Sequence, residues 1–193
     1  MDGLREGADG VVRCWWCGDD PTYVAYHDDD WGRPIHDDRA LFELLCLEGF
    51  QAGLSWITIL RKRPAFRAAF EGFVPEVVAG YEAPDVERLV GDAGIIRHRG
   101  KIEATIGNAR ALLDLHSAGQ TLDELVWSMG APASHPRPAA IAEIPGTTPE
   151  ATVLSKQLKK LGFRFVGPTT VYAFLQSAGV VDDHLVGCWR ADG

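Results

Sequence analysis

Glu48 is a charged residue on a stripe of apolar residues that recur at helical spacing. Leu41, Leu44 and Leu45 share that stripe. A buried carboxylate is costly without a partner, so Glu48 either pairs with a nearby arginine or receives a ligand with hydrogen-bond donors. Aromatic residues belong to a core more often than to a pocket, yet five of them flank two motif regions here: Trp16, Tyr23, Tyr26, Trp31 and Trp56. We interpret this set as a candidate binding pocket.

A second group of residues could hold a metal ion. His184 and Cys188 are four residues apart, so on a helix they would face the same way, and Cys14 and His27 form another pair near the opposite terminus. Two cysteines and two histidines make a closed, tetrahedral zinc site of the structural kind. Cys17 leaves an alternative open, since Cys14 and Cys17 form a C-x-x-C that could be a redox dithiol or offer the metal a different sulfur.

A glycine-bounded turn at residues 162–167 has the features of an anion site. Thr148 and Pro149 predict the start of one helix, which ends at Gly162, and Pro168 predicts the start of the next, which ends at Gly179. Backbone N–H groups of such a turn and of the following helix can bind a phosphate. The alternative is a plain antiparallel helix pair. The basic residues that would favour phosphate are Lys159, Lys160 and Arg164.

The elements around these groups are predicted to be helices. Asp37 or Asp38 caps a helix that Gly49 closes or kinks. Further helices are predicted over about 51–61, after Pro64, from Pro84 to about 91–94, and over about 98–115, with a proline-rich loop over 131–149. Period-2 alternation is almost absent, so the sequence predicts an all-α fold. Residues 1–10 are polar and acidic and predict a disordered extension to a single domain over 11–193.

Composition limits the functional classes. No run of about 18 apolar residues and no signal peptide are visible, so we expect a cytoplasmic monomer with reduced thiols and no membrane contact. The net charge of −8 disfavours DNA binding unless the basic residues share one face. They do cluster in the sequence, over 61–67, 97–101 and 156–164, although solvated helix faces would give the same pattern.

Several strings resemble the 3-methyladenine DNA glycosylase I family, within the helix-hairpin-helix DNA repair glycosylases. The matching strings lie between residues 13 and 188, and several are too long for chance. They are Asp20-Pro21, Tyr23, Tyr26-His27-Asp28, Trp31-Gly32, Leu47-Glu48-Gly49, Gln51 to Trp56, Asp92 to Lys101, Gly162 to Gly167 followed by Thr169, Asp183-His184 and Gly187-Cys188.

The resemblance implies an all-α helix-hairpin-helix fold of two lobes that releases 3-methyladenine from double-stranded alkylated DNA. Glu48 would meet the flipped base. Tyr23, Tyr26, Trp31, Trp56 and Trp16 would shape its pocket. Leu54 would fill the gap in the duplex. The implied DNA contacts are Lys160, Gly162, Arg164, Gly167 and Thr169. The implied ligands of one structural zinc per chain are Cys14, His27, His184 and Cys188.

Alternatives to this interpretation remain at the level of the sequence. A helix-hairpin-helix module without catalysis would bind DNA but would need neither a buried Glu48 nor an aromatic cluster. A dithiol redox protein would use Cys14 and Cys17 and would contain no metal. Within the glycosylase interpretation, Asp182 occupies the place of the catalytic aspartate of related enzymes, or else Asp182 or Asp183 supports a ligand histidine.

Overall fold

The computed structural model describes residues 3–130 and 136–191, and it is mostly helical. The part of the predicted loop at 131–135 lies outside the described residues. The helices are α1 Pro21–Ala25, α2 Asp38–Gln51, α3 Trp56–Ala69, α4 Pro75–Ala79, α5 Ala83–Gly91, α6 Arg99–Ser117, α7 Leu122–Trp127, α8 Pro149–Lys160 and α9 Pro168–Ser177. The strands are β1 Leu4–Glu6 and β2 Val12–Cys14. Single turns of 3-10 helix lie at Trp15–Cys17, Glu71–Phe73, Ile141–Glu143 and Trp189–Ala191, and a π-helical turn at Tyr26–Asp30.

Local capping chemistry places the start of α2 and both ends of α8 and α9 close to where the sequence predicts them. Asp37 accepts the Ala40 N–H at 2.8 Å to start α2, and Thr148 accepts the Ala151 N–H at 3.2 Å to start α8. The glycines that follow α8 and α9, Gly162 and Gly179, have φ angles of +97° and +77°. A side chain at such angles is strained, so glycine ends both helices at low cost.

One predicted helix break is wrong. Helix α3 runs through Pro64 without interruption, whereas the sequence predicted one helix ending near Arg61 and another after Pro64. Proline removes one backbone hydrogen bond inside a helix. Burial of Ile59 before it and Phe66 after it favours a single packed helix despite that loss.

The N-terminal segment is ordered, so the prediction of disorder is wrong for residues 3–10. β1 pairs antiparallel with β2, with Leu4 opposite Cys14. Leu4 also packs on a small cluster of Cys14, Leu185 and Cys188. A polar segment can still form a strand when its backbone is paired and one apolar side chain is buried. The all-α prediction is therefore corrected to a mostly helical fold with one two-stranded sheet among the described residues.

Helix α2 is the central element of the fold. It packs against α3, α6, α7 and α9, and α9 in turn packs against α8. The core around it contains Phe42, Phe50, Ile102 and Phe174, all fully buried. Glu48 is thereby held among rigid neighbours. Within the described residues, no helix is long and apolar enough to cross a membrane.

Candidate functional site

A cavity of about 350 Å³ lies between α2, α9 and the N-terminal region. All six residues that the sequence predicted for a pocket line it, although they come from several separate elements. Glu48 comes from α2, Trp56 from the first position of α3 and Tyr23 from α1. The complete lining is Trp15, Trp16, Tyr23, Tyr26, Trp31, Glu48, Gln51, Trp56, Ile141, Ile144, Ala173, Gln176 and Ser177.

Glu48 is buried without a counter-charge. Its side chain is 3% exposed, and none of the ion pairs between described residues involves it. Its Oε1 accepts a hydrogen bond of 3.0 Å from Ser177 Oγ, which itself accepts one of 3.1 Å from the Tyr26 hydroxyl. Burial raises the pKa of Glu48 to about 8, and the Ser177 hydrogen bond partly opposes that rise. Among the described residues, no arginine forms the ion pair with Glu48 that was considered from the sequence.

The aromatic side chains that line the cavity with Glu48 lie close to one another. The ring of Trp16 lies 5.1 Å from that of Tyr23 and 4.9 Å from that of Trp31, while Tyr26 and Trp56 are 5.5 Å apart, centroid to centroid. The Nε1 of Trp56 is buried and has no hydrogen-bond partner among the described residues. Electron-rich ring faces beside a lone carboxyl group suit a planar cation with hydrogen-bond donors.

Sequence reasoning missed the half of the cavity formed by α9 and by the segment that precedes α8. Ala173, Gln176 and Ser177 lie at positions i, i+3 and i+4 of α9, so they share one face. Ile141 and Ile144 add an apolar wall. The spacing of Gln176 and Ser177 from Ala173, three and four residues, was a usable signal. What the sequence lacked was any indication that this face meets Glu48.

Three of the four predicted zinc ligands meet at one point. Candidate ligand atoms of Cys14, His27 and Cys188 all lie within 4.8 Å of one another, and all three residues are buried. The neighbouring thiols of Cys14 and Cys188 interact, which lowers the pKa of Cys188 and raises the pKa of Cys14. The Leu185 N–H also donates to Cys14 Sγ at 3.4 Å. A thiolate is the form that binds a metal.

His184, the fourth predicted ligand, lies beside this group without belonging to it. Its ring centroid is 5.1 Å from that of His27, and its Nε2 is buried with no hydrogen-bond partner among the described residues. The Nδ1 atoms of His27 and His184 lie 2.8 Å from the carboxylates of Asp28 and Asp182, respectively. The Nε2 of His184 is left for another role, and the Nε2 of His27 already lies 3.5 Å from Cys188 Sγ, an arrangement like that of carboxylate–histidine–metal units. Zinc therefore fits these residues.

Cys17 and Asp182 have supporting positions. The Cys17 thiol donates to the Cys14 carbonyl oxygen at 3.1 Å, and burial raises its pKa to about 11, which disfavours a reactive dithiol. Asp182 contacts His184 through one oxygen and Arg137, at 2.7 Å, through the other. It does not line the cavity. Of the two roles considered from the sequence, support of His184 matches these contacts.

The turn between α8 and α9 is fixed to the body of the protein. Asn108 of α6 accepts the Arg164 N–H at 2.7 Å and donates to the Arg164 carbonyl oxygen at 3.1 Å. Gly167 precedes α9 directly. The side chains of Lys160, Arg164 and Thr169 are exposed, and neither basic residue has an ion pair among the described residues. The turn thus presents free positive charge.

The basic cluster on α3 is neutralised, unlike that at the turn. Arg61, Arg63 and Arg67 pair with acidic residues brought from elsewhere in the chain: Asp20, Asp30 and Glu43, respectively. Lys62 donates to the carbonyl oxygens of Ala93 and Gly94. These side chains mainly tie α3 to its neighbours, so they add little to a basic face.

Leu54 stands in the exposed turn between α2 and α3. It is 40% exposed and follows Gly53, which has a φ of +84°. The turn is braced, because Gln51 Nε2 donates to the Leu54 carbonyl oxygen at 2.7 Å and Lys101 Nζ donates to the carbonyl oxygens of Phe50 and Ala52. The same helix that holds Glu48 therefore ends in a rigid apolar projection.

Known proteins are similar to this chain in sequence and fold. A model of the family described as methyladenine glycosylase matches residues 16–191. DNA-3-methyladenine glycosylase 1 of Escherichia coli strain K12 is 53% identical over 182 residues, covering 92% of this chain and 96% of that protein. A crystal structure of 3-methyladenine DNA glycosylase I gives a TM-score of 0.89 at 51% identity, covering 92% and 98% of the two chains. A variant solved in complex with 3-methyladenine gives 0.86 at 39% identity, covering 92% and 96%.

Proposed function

The chain belongs to the methyladenine glycosylase family, and on that basis we propose that it hydrolyses the bond between 3-methyladenine and deoxyribose in alkylated DNA. The observation that carries this proposal is Glu48, an unpaired carboxyl group inside an aromatic cavity. A base inside a duplex is out of reach of such a cavity, so the target nucleotide must be flipped out of the stack. The activity is base-excision repair.

The cavity suits a cationic base better than a neutral one. Methylation of N3 makes adenine positively charged in DNA, and a cation between aromatic faces gains roughly 0.5 to 2 kcal/mol. With a pKa of about 8, Glu48 is mostly protonated at neutral pH in the free protein. A bound cation favours the carboxylate, whereas neutral adenine offers no such compensation. Selection of the damaged base follows from this difference.

Cleavage then requires little general-base strength. The methylated base leaves readily because departure removes its positive charge, so the protein mainly binds, orients and desolvates it. Glu48 accepts hydrogen bonds from the amine edge of the base and opposes the charge that the base carries. Tyr26 and Trp56 enclose the ring, and exclusion of bulk water strengthens these interactions.

We propose further that one zinc per chain is held by Cys14, His27, His184 and Cys188. The proposal is supported by the convergence of three of these residues and by the unpartnered Nε2 of the fourth. When bound, the metal would supply structure and no reaction step, since a two-Cys, two-His site has no open position. It would join β2, the π-helical turn and the C-terminal region.

The turn at residues 162–167 is proposed as a helix-hairpin-helix phosphate site on double-stranded DNA. Support comes from the unpaired Lys160 and Arg164, the exposed Thr169 and the backbone N–H groups at the start of α9. Backbone contacts to phosphates read no sequence, which suits a repair enzyme. Leu54 is the proposed wedge into the gap left by the flipped base.

The experiment that tests the activity uses methylated duplex DNA. The zinc-replete protein is incubated with it, and the released bases are separated by chromatography against standards. We expect free 3-methyladenine from methylated DNA and no free base from the same duplex without methylation. A folded protein that binds this DNA and releases no base would support a binding module instead.

A further inference from the structure

Ser177, the last residue of α9, is the only hydroxyl residue among those described that donates a hydrogen bond to Glu48. It is 6% exposed and lies 129 residues from Glu48 in the sequence. Its single proton goes to Glu48 Oε1, at 3.0 Å, so its oxygen is left to accept the Tyr26 hydroxyl, at 3.1 Å. The hydrogen bonds thus form a chain in which Tyr26 donates to Ser177 and Ser177 donates to Glu48. Within residues 3–130 and 136–191, Glu48 receives no other hydrogen bond.

We propose that Ser177 is a positioning residue for base recognition, whose hydroxyl group fixes Oε1 of Glu48 so that the second carboxyl oxygen faces the base. The proposal rests on the proposed function of the cavity. A glutamate side chain has several rotatable bonds, and without a tether its carboxyl group would sample other orientations, which costs binding free energy. The same hydroxyl group fixes Tyr26 beside it.

Ser177 also connects the proposed DNA site to the pocket. The turn that presents Arg164 and Gly167 leads directly into α9, and α9 ends at Ser177. One helix therefore connects the proposed DNA site to the hydroxyl group that contacts Glu48. A helix transmits position over its length because its backbone hydrogen bonds resist bending. The hydroxyl group therefore fixes the position of the Glu48 carboxyl group relative to the surface that would bind the DNA backbone.

The hydrogen bond also affects the charge of Glu48. Titratable groups that face Glu48 across the cavity are the phenols of Tyr23, from α1, and Tyr26, from the π-helical turn, and no cation faces it among the described residues. Burial raises the pKa of Glu48 to about 8, while the Ser177 hydrogen bond lowers it. Removal of the hydroxyl group should raise that pKa further, and less of the carboxylate would then form at neutral pH.

The test compares Ser177→Cys and Ser177→Ala with the native, zinc-replete protein. Cysteine is somewhat larger than serine and is a weaker donor, and alanine removes the donor. Thr105→Val is the matched control, because Thr105 is a buried hydroxyl residue that donates to the Lys101 carbonyl oxygen away from the cavity. The Glu48 carboxyl carbon is titrated by NMR, and single-turnover excision of 3-methyladenine is measured as a function of pH.

We expect the Glu48 titration midpoint to rise from native through Cys to Ala, and excision at pH 7 to fall about tenfold in the Ala variant, as for loss of a hydrogen bond to a charged group. The loss should shrink as pH rises. The control should change neither property. An unchanged titration and pH profile in both Ser177 variants would overturn the proposal. Because the titration needs no catalysis, it tests Ser177 even if the native protein releases no base.

Discussion

Replacing Glu48 by glutamine should stabilise the folded protein, by an amount that grows with pH. The carboxyl group has a pKa of 4.5 in its reference state and about 8 in the folded protein, because burial disfavours its charge. Between these two pKa values, the folded protein keeps a proton on Glu48 that the unfolded chain has released. The free energy of unfolding is therefore highest, as far as Glu48 is concerned, below about pH 4.5, and it falls as the pH rises through about 8.

The magnitude follows from the two pKa values of Glu48. Between about pH 5 and pH 8, the native protein should lose about 1.4 kcal/mol of unfolding free energy per pH unit, which amounts to about 3 kcal/mol at pH 7 relative to acid. Glutamine has a similar shape and cannot ionise, so the variant escapes this loss. The hydrogen bonding of its amide adds an offset that does not vary with pH.

The assay is urea unfolding of the native protein and Glu48→Gln at a series of pH values. Any effect of pH on the metal ligands is common to both proteins and cancels in the difference. Glu76→Gln, which neutralises an exposed carboxyl group on α4, is the control and should give a constant difference. A constant difference for Glu48→Gln as well would refute the account of a buried, unpaired carboxyl group. Unfolding of the variant would instead assign Glu48 a structural partner.

The remaining predictions concern the metal and the DNA surface. Elemental analysis of protein purified without added metal should find about one zinc per chain. Cys14→Ser should lose the zinc or unfold, whereas Cys17→Ser should retain it. A folded native protein without metal would contradict the proposed site. Gly167→Val should weaken binding to all DNA sequences alike without lowering the melting temperature, because a Cβ at Gly167 meets no atom within 4 Å and would obstruct only a phosphate; loss of stability instead would make Gly167 a structural residue. Lys160→Glu should reduce the slope of log affinity against log salt by about one or more; an unchanged slope would place the phosphates elsewhere.

The parts of the fold that depend on local chemistry were predictable from the sequence. Asp37, Thr148 and Pro168 start helices by capping or by fixed φ, and Gly162 and Gly179 end them, so nearby residues contain the signal. The proposed zinc ligands and the residues that line the cavity were predictable mainly through resemblance to a family. Their types indicated possible chemistry, but their spacing did not bring them together.

Long-range pairing explains what the sequence did not indicate. β1 is a strand because β2 is available to pair with it, and its own composition predicts disorder. The arginines of α3 looked free because their acidic partners, such as Asp20 and Asp30, are remote in the sequence. Ser177 had no visible relation to Glu48 for the same reason. Each of these contacts depends on the packed helices that bring the two segments together.

The central claim is that Glu48 recognises the methylated base in the cavity, and single-turnover excision by Glu48→Gln tests it most directly. The measurement uses a synthetic duplex with one 3-methyladenine, enzyme in excess, and variants shown to retain their zinc and their affinity for undamaged DNA. Loss of a hydrogen bond to a buried charged group costs about 1.5 to 3 kcal/mol, so excision should slow by roughly ten- to 150-fold. Excision at the native rate would contradict the claim, and the group that reads the base would have to be sought among Tyr23, Tyr26 and Trp56.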